Sequence, residues 1–222
     1  MTESRKGFLA LSPRFLWLAP LLLVMLLAGA CATHPMTKRS GFLQDYDRLK
    51  QDPQDPSVMF WERPGVDWKR YKRLMLDPVE VRIDPTKAER ELTRQEMKKL
   101  ADTLRQITID TLKQSYPVVD KPAPDVLRVR AAITDLVPVM PVANITSVVL
   151  VGLPMDLGRA GIEVRFSDSL TGRLLAEMTD VKIGSPITLD MGWTRWGQIE
   201  DAFEDWAEEL KDALDEVHGK KK

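Results

Sequence analysis

Cys31 is the only thiol in the chain, and its neighbours indicate its chemistry. Arg5, Lys6 and Arg14 come first, an apolar run from Phe15 to Leu27 follows, and Ala28-Gly29-Ala30 leads straight into the cysteine. A basic region, an apolar region and small residues at a cut make a secretory signal. A cysteine at the first position after the cut has the form of a lipobox, in which the thiol is acylated, as with palmitate, and becomes the new N-terminus. The competing reading is a retained membrane helix. Residues 15–30 carry no charge, but Pro20 interrupts them, and a spanning helix needs roughly 20 apolar residues. Lipidation at Cys31 is the expectation. No intrachain disulfide can then form, so a core must hold the fold together.

Other chemistry is sparse. The histidines are His34, just after Cys31, and His218, near the far end. Neither has a second imidazole or a thiolate at ligand spacing, so no zinc site is expected. Gly-x-Ser-x-Gly, His-Glu-x-x-His and phosphate-cradling glycine loops do not occur. A Ser–His–Asp triad would have to use a histidine in a tether or at a helix end, where geometry is poorly held. Asp201 with Asp205, and Glu204 with Glu208, make carboxylate pairs, but on the polar side of an amphipathic stretch. No catalytic residue, metal or cofactor is expected, and the protein reads as a non-enzyme.

Contact chemistry is more visible. Residues 136–155 carry no charge, and Pro138, Pro141 and Pro154 oppose a spanning helix. The β-branched part from Ile145 to Val151 suits a buried strand. Alternatively the segment is a surface that touches a membrane or another protein, since an exposed apolar patch of that size needs a partner. Val142, Ile145, Val149 and Trp193 are the candidate contact residues. Trp196 falls on a helical stripe and is expected inside.

Lys+Arg number 32 against 33 Asp+Glu; without residues 1–30, which hold three bases and one acid, the net charge is −3. That is no balance for binding a polyanion, and no nucleic-acid partner is expected.

Several elements must position these residues. Alternation marks strands around 79–83 and 127–134, and a hairpin of 162–167 with 173–183 turning through Asp168-Ser169-Leu170-Thr171-Gly172. The return strand shifts phase near Thr179-Asp180, which a bulge would explain. An edge strand around Val58–Trp61 is possible. Thr93 and Glu96 form a capping box for a helix to about residue 115. Trp196, Ile199, Phe203, Trp206, Leu210, Ala213 and Val217 recur at three- and four-residue spacing, with Thr194 as N-cap and Gly219 at the C-terminal end. The expected fold is α+β: a mixed sheet of four to six strands with two main helices, about 93–115 and 195–217, packed on one face. The strand–helix–strand unit should make its two strands parallel.

Four stretches together resemble a known family: Ser40-Gly41-Phe42-Leu43-x-Asp45-Tyr46, Met75-Leu76-Asp77-Pro78-Val79, Asp168-Ser169-x-Thr171-Gly172-Arg173-Leu174-Leu175, and Trp196-x-x-x-x-Asp201-Ala202-Phe203-x-x-Trp206-Ala207. They resemble the uncharacterised Gram-negative lipoproteins of the domain of unknown function numbered 3313, from about Ser40 to Val217. The resemblance implies an envelope lipoprotein and brings no catalytic residues, cofactor or partner. In such lipoproteins aspartate after the cysteine favours the inner membrane, so Ala32 points to the outer membrane. The expected layout is a signal peptide at 1–30, a lipid-anchored tether at 31–40 and one α/β domain at 41–222 facing the periplasm. The leading expectation is an accessory or assembly component acting through an envelope protein partner. The alternative is a binding module for a small apolar or amphipathic envelope molecule held between sheet and helices. A filled core favours the first, and an apolar cavity open to solvent favours the second.

Overall fold

Three stretches of alternating apolar and charged residues build the middle of one open sheet. In the computed structural model, which describes residues 39–84, 92–139, 146–147, 157–184 and 194–220, they are β5 (Val126–Val137), β6 (Arg159–Asp168) and β7 (Leu174–Ile183). Four shorter strands complete it: β1 (Lys50–Gln51), β2 (Met59–Glu62), β3 (Arg73–Leu76) and β4 (Glu80–Val81). The order is β1-β2-β7-β6-β5-β3, with β4 also on β5. All pairs are antiparallel except β3 and β4, which run parallel to β5. Helix α1 (Arg94–Leu112) connects β4 to β5, so the expected parallel crossover is present. Helix α2 (Gly197–Val217) follows β7 and packs along α1. The fold is α+β with a mixed sheet, and the seven strands among the described residues exceed the expected range because β1 and β4, only two residues long, are counted. β2 is an inner strand, not an edge, since β1 lies beyond it.

Local chemistry sets the ends of these elements. Thr93 Oγ1 accepts from Glu96 N and Glu96 Oε2 accepts from Thr93 N, the reciprocal capping box. The N-cap of α2 is Trp196, two residues beyond Thr194, whose Oγ1 nevertheless accepts from Gly197 N at 2.8 Å. At the other end Gly219 adopts φ +67°, and Lys220 N donates to Asp215 O, closing the helix as a left-handed C-terminal cap does. In the β6–β7 turn, Asp168 Oδ1 accepts from Thr171 N and Oγ1, and Gly172 takes φ +68°.

The phase shift in β7 has a different cause from a bulge at Thr179-Asp180. There the register is continuous, with Glu163 opposite Thr179 and Ile162 opposite Asp180. The irregularity lies at the other end of the hairpin, between Phe166 and Ser167, opposite Ala176 and Leu174. Asp180 simply continues the inward face set by Ala176 and Met178. It is fully buried and accepts from Trp206 Nε1 at 2.7 Å, Ser57 Oγ at 2.6 Å and Val181 N at 2.6 Å. A hydrogen-bonded aspartate in an apolar row looks, in one dimension, like a slipped register.

The sheet is covered on both sides. One face carries Leu127, Val129, Ile133, Ile162, Val164 and Phe166 beneath α1 and α2, whose Leu100, Leu104, Ile199, Phe203 and Trp206 complete the main core. The other face is covered by the arm at 39–49. Its Phe42, Leu43 and Leu49 are buried against Ala132, with Tyr46, Met59 and Trp61 beside them.

Candidate functional site

The helix-covered face holds an apolar cavity of about 480 Å³. That lies within the usual range of ligand pockets, roughly 300–1,000 Å³. Its floor is the inward row of the sheet, from Phe60 on β2 through Met178, Val164 and Val129 to Leu76 on β3. Its roof is α2, with Leu104, Arg105 and Thr108 of α1 at the far side. Ala131, Ala176 and Ala213 hold positions where larger side chains would fill the space. From β2 to β3 is four strand-to-strand steps, so the lining spans roughly 19 Å at about 4.8 Å per step.

The exposed members of the lining show where it opens. Glu62 on β2, and Glu209 and Ala213 on α2, are accessible, which places the mouth between α2 and the β2 side of the sheet. Trp206 walls this side, its indole fixed by Asp180. Trp68 lies edge-on to Phe166, centroids 6.5 Å apart, and donates Nε1 to Glu62 at 2.6 Å.

The polar groups of the lining fall into two sets. The carboxylates have partners: Glu209 with Lys182 at 2.6 Å, Asp77 with Arg128 at 2.7 Å, and Asp52 with the amides of Gln54 and Asp55. Partial burial pushes the Glu209 carboxyl up, against the pull of Lys182. Arg105 is the cation of the described lining, and its guanidinium donates to the backbone oxygen of Leu76 at 3.2–3.4 Å. Among the described residues it makes no ion pair.

The opposite face is ionic. Glu163 and Glu177 are fully buried there, and the arm is tied to both. Glu163 accepts from Ser40 Oγ at 2.6 Å and Tyr46 Oη at 2.8 Å; Glu177 accepts from Gln44 N at 2.9 Å and pairs with Arg48 at 2.5 Å. Arg165 lies 3.4 Å from Glu177, and its desolvation lowers the guanidinium, with Glu177 pulling the other way. The Phe42 ring sits among Arg82, Arg130 and Arg165, and Arg48 stacks 3.8 Å from the Trp61 centroid. These side chains are consumed by the fold.

Cys31, Val142, Ile145, Val149 and Trp193 lie outside the described residues, as does His34. The uncharged stretch at 136–155 is described only at 136–139 and 146–147. Its opening belongs to the core, since Leu136, the residue of β5 before Val137, and Val139, just beyond the strand, are both buried. No described residue of that stretch lines the cavity. Trp196 packs against the main core, with Arg195 4.8 Å over its ring. His218 Nε2 lies 2.9 Å from Tyr71 O, at the end of α2. Glu204, Asp205 and Glu208 are exposed on the outer side of α2. Among the described residues no group of three or more His, Cys, Asp or Glu could hold a metal, and no helix is long and apolar enough to cross a membrane. Arg105 and the alanines were not legible as site residues: an arginine flanking a helical stripe and an alanine in a strand carry no local signal.

An open mixed sheet with two helices over one face and a hollow between them defines a small α+β protein with room for a guest. The chain belongs to the family described as Protein of unknown function (DUF3313), whose model matches residues 38–210. No curated protein matches it. Among solved structures it is similar to the PelC dodecamer from Paraburkholderia phytofirmans, at 11% identity and TM-score 0.41, covering 67% of this chain and 91% of that one. It is similar also to the hypothetical protein CT253 from Chlamydia trachomatis, at 12% identity and TM-score 0.40, covering 66% and 98%. Lipoprotein GNA1162 from Neisseria meningitidis gives 9% identity and TM-score 0.32, covering 63% and 98%. At these scores the likenesses are too distant to speak about activity.

Proposed function

We propose that this protein is a non-enzymatic, lipid-anchored envelope protein that binds a small apolar or amphipathic molecule between its sheet and its helices. The observation that carries this reading is the apolar cavity of about 480 Å³. An ordinary core of this size is packed to near-crystalline density, and voids much larger than a water molecule are few. A hollow that spans the sheet and opens beside α2 suits a guest. The rest of the reading is the layout expected from the sequence: a signal peptide at 1–30, acylation at Cys31, a tether to residue 40, and a domain facing the periplasm from the outer membrane. An accessory component working through protein contacts would depend on Val142, Ile145, Val149 and Trp193, which lie outside the described residues.

Native mass spectrometry of the protein taken from envelopes in mild detergent tests the reading. The expected result is a co-purifying apolar molecule that is lost in Ala176→Phe, with the protein still folded. Equal adduct masses in both forms, or none in either, would refute it. The anchor has its own test: Cys31→Ser should leave the membrane fraction or persist as uncleaved precursor, and unchanged fractionation at the mature size would exclude lipidation.

A further inference from the structure

Arg105 distinguishes this cavity from a featureless apolar void. It stands on α1 at the β3 end of the lining, some 19 Å of sheet away from Glu62 on β2, counted as four steps of about 4.8 Å. A guanidinium offers five donors in a planar fork suited to a carboxylate. Here the forked pair of Nε and Nη2 reaches only a backbone carbonyl, that of Leu76. The remaining polar lining is already matched, as Glu209 has Lys182, Asp77 has Arg128 and Glu62 has the Trp68 indole. Each carboxylate of the described lining thus has an ionic or a hydrogen-bonding partner, whereas its cation, Arg105, meets no carboxylate among the described residues.

We infer that the cavity takes a single-chain amphiphile with a carboxylate head group, a fatty acid, its head at Arg105 and its chain lying across β5, β6 and β7 toward β2. The inference rests on reading the cavity as a binding site, and it adds the class and direction of the guest. The volume sits low in the range of ligand pockets, which favours one acyl chain over the paired chains of a phospholipid. At the mouth the Glu62 carboxylate, held by the neutral Trp68 indole and not by a cation, disfavours a second carboxylate and sets the same direction. The Arg105 fork contributes an ionic hydrogen bond that a neutral head group cannot make in full, corresponding to a preference of at least about tenfold.

The test uses the full-length protein in phosphatidylcholine vesicles, irradiated with diazirine-bearing palmitate or diazirine-bearing hexadecanol. Labelled peptides are then mapped by mass spectrometry. Palmitate should label peptides containing Ala176 or Leu214 at least about tenfold more than the alcohol does, matching the expected preference. Arg105→Met should erase that difference and Arg105→Lys should keep most of it, with melting curves confirming that both fold. Unlabelled palmitate should compete, and phosphatidic acid should not. Equal cavity labelling by acid and alcohol in the wild type would overturn the carboxylate inference and leave the cavity reading standing. So would a preference unchanged in Arg105→Met. Competition by phosphatidic acid would overturn the single-chain inference. Labels found only outside the cavity would overturn both readings.

Discussion

Beneath the helices, the sheet presents Ala131, Ala176 and a row of aliphatic and aromatic side chains to a hollow; beneath the arm, it presents Glu163, Glu177 and a set of arginines to a tightly hydrogen-bonded cover. The same strands supply both, because successive residues of a strand point to opposite faces. In β6, Val164 lines the cavity while Glu163 and Arg165 serve the arm; in β7, Ala176 and Met178 line it while Glu177 serves the arm. The contrast separates two uses of burial. Buried ions without partners are very costly, so the carboxylates of the arm face, Glu163 and Glu177, must keep theirs. Missing apolar contacts cost far less, so the helix face can stay open.

Removing one buried partner should have the largest effect. Glu177→Ala strands Arg48 and Arg165 and frees the Gln44 amide, and should cost about 3–5 kcal/mol in a denaturant titration. A loss below about 1 kcal/mol, typical of an exposed pair, would show the arm is not held by its ions.

Enlarging one alanine on each face sharpens the comparison. Ala132 is fully buried under the arm, so Ala132→Leu should overpack and destabilise by about 1–3 kcal/mol. Ala176 borders the cavity, so Ala176→Leu should instead stabilise by about 0.5–2 kcal/mol, as cavity-filling changes do, while weakening guest binding. Thermal melts of the two variants side by side decide it, and shifts of the same sign would erase the distinction between the faces.

The smallest effect is expected where neither face is involved. Glu204→Ala and Glu208→Ala lie on the exposed side of α2 and should change stability by no more than about 0.5 kcal/mol. A larger loss in chemical denaturation would mean that this surface is covered in the native protein.

Periodicity alone carried much of the architecture. The three- and four-residue spacing from Ile199 to Val217 specified α2, and from Ile199 to Trp206 its buried side, because a helix repeats every 3.6 residues whatever it packs against. Further on, Leu214 is buried and Ala213, on the expected stripe, is exposed. Thr93 and Glu96 marked the start of α1, since a capping box is a contact within one turn. The turn residues Asp168 to Gly172 marked the hairpin for the same local reason. Arg73–Leu76 alternates too, but four residues are too few to stand out, and it became a strand by pairing with the distant β5. Asp180 misled because its partners, Ser57 and Trp206, come from remote parts of the chain. The same holds for Glu163 and Glu177, which are ordinary strand charges until the arm closes over them. The cavity is the extreme case. A hollow is what distant side chains leave between them, and only the tertiary structure set Ala131, Ala176 and Arg105 around one space.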